Sequence, residues 1–184
     1  MGPSELHSHL GQERFLHPIS GSSLANTRLV HATFALKRHF IGVGVRMLAE
    51  LETFHADLLR LIGELERLAQ DVSPRMDAIA DVRLKLARVS RRRSEFLESM
   101  VYPHVLAMAA STSHAEITEL RIQGIESRMR STSHISQWTL IQVQENWSEY
   151  RQASETMRAS MRKRIRQEQD VLYPILRAAE QKRG

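Results

Sequence analysis

The sequence predicts an all-α protein folded as an up-down antiparallel four-helix bundle, preceded by a helical extension and a flexible arm. Three observations predict it. Glycine and proline are scarce, 8 and 5 in 184 residues, which disfavours the many tight turns of a β sandwich. Apolar residues recur at spacings of three and four over long runs, the period of a helix that turns one face to a core. The connections between those runs are short, and short connections favour antiparallel neighbours.

The chain is long enough to bury one core. With no cysteine, disulfides, thiolate catalysis and Cys-ligated metals are excluded. No apolar run reaches the roughly 18 to 20 residues needed to span a bilayer. The N-terminus lacks the basic-then-apolar signal pattern, so a cytoplasmic protein with no membrane association is expected. Lysine and arginine number 26 against 21 acidic residues, a net charge of +5. An excess of that size permits contact with nucleic acid but does not argue for it.

Residues 1–22 hold Gly, Ser, Pro and His without sustained periodicity and read as a flexible arm. Residues 23–44 form a helical extension, with a bend or join expected at Gly42 and Gly44. Residues 45–182 form the bundle. The first bundle helix carries Ile41, Leu48, His55, Ile62 and Ala69 on one row and Leu51, Leu58 and Leu65 on the next, with His55 inside the stripe. Ser73 and Pro74 then read as the N-cap and first residue of a second helix. Its inward row runs Ile79, Val82, Leu86, Val89, Arg93, Phe96 and Met100, so that Arg93 interrupts an apolar face.

Two Ser-Thr-Ser-His tetrads read as restarts. Ser113 with Glu116 makes a capping box for a third helix over 114–130. Ser131 opens a fourth, whose inward row includes Val143, Trp147, Tyr150, Ser154, Met157, Met161, Arg164, Glu168, Val171 and Ile175. At about 1.5 Å per residue over some 45 residues, that helix would be roughly 65 Å long and would overhang the bundle or bend.

"SMVYPHV" (Ser99 to Val105) and "DVLYPIL" (Asp170 to Leu176) close the second and fourth helices with the same Tyr-Pro step. Superposing them aligns "RRSEFLESMVYPHV" with "KRIRQEQDVLYPIL". Here the chain resembles the hemerythrin-like, or HHE cation-binding, family. Its second and fourth helices read His-x-x-x-Glu before Leu-Phe-Pro, and its first and third each add a His. That resemblance implies a four-helix bundle around a pair of iron ions, used for oxygen, redox or iron sensing. Ligands at i and i+4 suit this because they share one helical face.

Carried over residue by residue, the resemblance implies a degenerate metal site. His55 and His114 match the first- and third-helix histidines, and Glu168 the fourth-helix glutamate. Arg93 and Arg164 stand at the two remaining His positions, and Leu97 at the remaining Glu position. Glu98 and His104 lie off the face of Arg93 and are not expected to rescue the set. An arginine stays protonated and cannot ligate iron. A core charge cluster of Arg93, Arg164 and Glu168 is therefore expected in place of the metals, with no cofactor. Removing one member would strand a buried charge at about 3–5 kcal/mol.

With no Gly-rich phosphate loop and no nucleophile triad at a recognisable spacing, no enzyme is expected. The leading reading is a non-catalytic regulatory or partner-binding protein, including self-association, with Trp138 and Trp147 as candidate partner-binding anchors. One alternative is a metalloprotein holding an ion, iron at partial occupancy, on His55, His114, Glu168 and His104. The other is a basic helical nucleic-acid binder.

Overall fold

The computed structural model describes the backbone of residues 22–181 and the side chains of residues 44–178. The protein is all-α, with no strand among the described residues. In chain order the elements are α1 (Ser22–Leu68), α2 (Met76–Phe96), a π turn (Leu97–Val101), α3 (Tyr102–Met108), α4 (Ser111–Gln137), α5 (Leu140–Glu145) and α6 (Trp147–Gln181). None is long and apolar enough to cross a membrane. The chain divides into two units, Met1–Lys37 and Arg38–Gly184, and the described side chains all belong to the second. The arm expected over 1–22 lies outside the described residues except for its last position.

Several expected boundaries move, each for a local reason. The helical assignment of α1 passes through Gly42 and Gly44 without a break. Ser73 does not cap α2. The helix starts at Met76 behind Arg75, which makes no side-chain cap bond. The loop before it is held otherwise: Arg75 Nε donates to Asp71 Oδ2 at 2.8 Å, and Trp147 Nε1 donates to the Asp71 carbonyl at 3.1 Å. Ser113 lies inside the first turn of α4, which Ala110 precedes in extended conformation.

Ser131 does not start a helix either. Ser131 Oγ donates to the Ser127 carbonyl and Thr132 Oγ1 to the Arg128 carbonyl, both at 3.0 Å. Hydroxyls that bond back one turn ride within a helix instead of capping one, so α4 continues to Gln137. The working cap is Thr139, whose hydroxyl accepts from the Gln142 N–H at 3.3 Å. The expected 65 Å helix is thus broken at Trp138–Thr139 and again at Asn146, leaving α6 with 35 residues, about 52 Å.

The second helix also departs from a simple period. Val101 is buried while Met100 is 46% exposed, the reverse of the expected row. A π turn hydrogen-bonds i to i+5, so each residue turns through less than in an α-helix, and positions after Leu97 slip off the 3.6 period. It lies just before Pro103, whose ring would clash with a carbonyl one turn back in a straight α-helix. Pro174 sits inside α6 with no such interruption.

Two apolar clusters form the core. One gathers Leu48 and Leu51 of α1, Leu97 and Val101 of the π turn, Val105 of α3, Ile117 and Leu120 of α4, and Leu172 and Leu176 of α6. The other gathers Leu58, Ile62 and Leu65 of α1, Ile79, Val82 and Leu86 of α2, Trp138, Val143 of α5, and Tyr150 and Ile165 of α6. Along α1 the gap between them falls at His55, and along α6 at Glu168. Leu58→Ala, at a fully buried position, is expected to cost about 2–5 kcal/mol. Leu59→Ala, at a position 40% exposed, should stay within about 0.5 kcal/mol of wild type. Denaturant titration distinguishes them, and equal losses would contradict the orientation of α1.

Candidate functional site

The gap between the clusters is filled by charge. On α6, Arg164 and Glu168 are one turn apart and share a face. His55 enters from α1 and Arg93 from the last turn of α2. Glu168 has no exposed surface. Its Oε1 accepts from Arg164 Nε at 2.6 Å, its Oε2 lies 2.8 Å from His55 Nε2, and Arg93 Nη1 stands 3.5 Å from the same oxygen. The structure thus brings Arg93, Arg164 and Glu168 together and adds His55 to them.

Both tyrosines of the Tyr-Pro steps point to this layer. Tyr102 OH accepts from Arg164 Nη2 at 2.9 Å, and Tyr173 OH lies 2.7 Å from His55 Nδ1. The imidazole thus has a hydrogen-bond partner at each ring nitrogen, the Glu168 carboxylate at Nε2 and the Tyr173 hydroxyl at Nδ1. Arg164 Nη1 donates to the Leu120 carbonyl at 2.6 Å, so every nitrogen of that guanidinium has a partner.

Gly124 explains how the guanidinium comes so near the backbone of α4. A Cβ there would lie 2.8 Å from Arg164 Nη2. Glycine is unfavourable in a helix interior by about 1 kcal/mol relative to alanine, and here its missing side chain is the space the arginine occupies. The isolated glycine in "RIQGIES" was the available signal, together with the tyrosine beside each proline.

Burial by itself would raise the Glu168 pKa. Arg93, the hydrogen bond from His55 and Arg164 outweigh it, and the carboxyl is held below the usual value. Burial pushes the Tyr102 phenol up to about 12, and burial likewise raises Tyr173. Both hydroxyls therefore keep their protons at neutral pH. Chemically the layer is an ionised carboxylate whose two oxygens are both engaged by cations and hydrogen bonds.

The residues present do not fit a pair of iron ions. His114 is exposed in the first turn of α4, away from His55 and Glu168. Leu97 is packed in the first apolar cluster. Both oxygens of Glu168 are engaged, and two fixed positive charges face it. Among the described residues no three His, Asp or Glu side chains group to hold a metal ion. His104 is buried in α3, and desolvation lowers its pKa. Glu98 is placed differently from expectation: it lines one cleft with Arg93, and Arg121 Nε donates to it at 2.7 Å. The π turn that begins at Leu97 accounts for the change of face.

Trp138 and Trp147 turn inward. They pack on Tyr150 with ring centroids 5.6 and 5.7 Å away, Trp138 buried and Trp147 partly buried.

The unfolded-state Glu168 pKa is about 4.3 and the folded one is lower, so the layer's stabilisation is present above the unfolded value. It is lost as pH falls through the folded one. Glu168→Gln is expected to cost about 3–5 kcal/mol at neutral pH, with the gap to wild type closing below about pH 4. Thermal melts across pH measure it; a gap that stays constant would mean Glu168 is not ionised. Gly124→Ala should destabilise by about 1–3 kcal/mol through overpacking. Gly63→Ala, where a Cβ meets nothing within 4 Å, should stabilise by up to about 1 kcal/mol. Compared with protein-family models, curated proteins and solved structures, the chain finds no match, and the site rests on its own geometry.

Proposed function

We propose that this chain is a hemerythrin-like, up-down four-helix bundle whose metal centre has been replaced by the ionic layer, and that it serves as a non-catalytic regulatory or partner-binding protein. The observation that carries this reading is the state of Glu168. At the one position of the second and fourth helices where the resemblance keeps a carboxylate ligand, both oxygens are taken by Arg164, His55 and Arg93. A cation entering there would have to displace two guanidinium groups that have no other carboxylate within 4 Å among the described residues.

The alternation of the long helices supports the bundle. α1 passes from the first apolar cluster to the second, α2 with its π turn returns, α4 passes back toward Trp138, and α6 returns again. The layer acts as a structural centre, which suits a protein whose output is shape and surface.

Elemental analysis of protein purified without a histidine tag tests the central claim. Iron, zinc and manganese are each expected well below one per chain, with no near-ultraviolet charge-transfer band. Iron approaching two per chain would overturn it. Sedimentation over a wide concentration range tests partner binding by self-association, with a concentration-dependent mass as the expected result.

A further inference from the structure

A cleft of about 580 Å³ opens between α2, α4 and α6 next to the ionic layer. That volume is within the range of small-molecule sites, roughly 300–1,000 Å³. Its apolar wall includes Leu86, Ile135, Met157, Met161 and Ile165. Six arginines also line it, and four of them have a carboxylate within 4 Å: Arg91 with Glu95, Arg128 with Glu98, and Arg93 and Arg164 with Glu168.

Arg83 and Arg158 have none among the described residues. Arg158 is 6% exposed; its Nη1 donates to Ser154 Oγ at 2.7 Å, and its Nε is buried without a hydrogen-bond partner. Arg83 donates through Nη2 to the Trp138 carbonyl, leaving Nη1 buried and unpartnered. Its guanidinium lies 5.7 Å from the centre of the Tyr150 ring, whose own hydroxyl is buried without a partner. Tyr150, Ser154 and Arg158 fall at i, i+4 and i+8 on α6, one stripe of one face. A buried cation is costly unless an anion and hydrogen bonds satisfy it. Here two cations and a hydroxyl have donor capacity to spare, beside an apolar wall.

We propose that this cleft binds a small amphipathic carboxylate, its head taken by Arg83, Arg158 and the Tyr150 hydroxyl and its hydrocarbon body laid along Met157, Met161 and Ile165. The ionic layer's Arg93 and Arg164 line the same cleft but are paired with Glu168, so the head-group site does not use them and does not rest on the proposed function.

The test titrates decanoate, decanol and inorganic phosphate into the full chain, following heat and tryptophan emission. Trp138 and Trp147, the two tryptophans of the sequence, both touch Tyr150 and report on the head-group end. Decanoate is expected to saturate at one per chain, with decanol at least about tenfold weaker for want of charge-assisted bonds. The Arg83→Met/Arg158→Met double variant should bind decanoate at least about tenfold more weakly, and its thermal melt reports what losing the donors to the Trp138 carbonyl and Ser154 Oγ costs the fold. Tyr150→Phe, which removes only the hydroxyl, should weaken binding about two- to tenfold and keeps the test open if the double variant does not fold. No saturable decanoate binding, unchanged affinity in the variants, equal binding of decanol, or phosphate alone binding as tightly as decanoate would each overturn the proposal.

Discussion

The fold turns on one ionised carboxylate with no access to water. An isolated carboxylate at such a position would neutralise itself, since burial penalises the charged form. Glu168 keeps its charge because helices on three sides deliver partners to it: Arg164 from its own helix, His55 from α1 and Arg93 from α2. Those partners constrain their own surroundings in turn. Arg164 needs the Leu120 carbonyl and the space at Gly124; His55 needs Tyr173. A slip of any one helix by a turn would strand at least one of these groups in an apolar cluster. Such a layer fixes register more sharply than it adds stability, because well-packed apolar side chains of similar volume are often as stable or more so.

The two Tyr-Pro steps gain a joint role from this. They sit on different helices and resolve their prolines differently, α2 through a π turn and α6 within an unbroken α-helix. Yet each places a phenol on the same layer, one on a guanidinium and one on an imidazole. The repeated motif thus positions hydroxyls as well as ending or bending helices. The tyrosine matters to the layer as much as the proline matters to the backbone.

Much of this arrangement was legible in the sequence, and what was not has definable causes. Charges interrupting an apolar row mark inward-facing positions, so Arg93, Arg164, Glu168 and His55 could be located from spacing alone. Helix boundaries were less visible. Ser113, Ser131 and Thr132 have the chemistry of caps, but the same hydroxyls can bond back to a carbonyl within a helix, and residue type does not distinguish the two uses. The π turn escapes any argument built on a period of 3.6, which is why Met100 and Val101 exchange places and Glu98 faces the cleft. Gly124 and the Leu120 carbonyl belong to a contact between helices distant in sequence. Nothing local to "RIQGIES" says what lies against it.

The layer also divides the core into two apolar decks, and temperature acts on decks and layer in the same sense. Apolar burial loses driving force on cooling. The penalty for keeping ions out of water grows as temperature falls, because charged groups are hydrated more favourably in the cold. On warming, the first effect strengthens toward a plateau and the second eases. A chain with Glu168, Arg164 and Arg93 at its centre therefore loses more stability on cooling than an all-leucine core of the same size, which would suffer only the first effect.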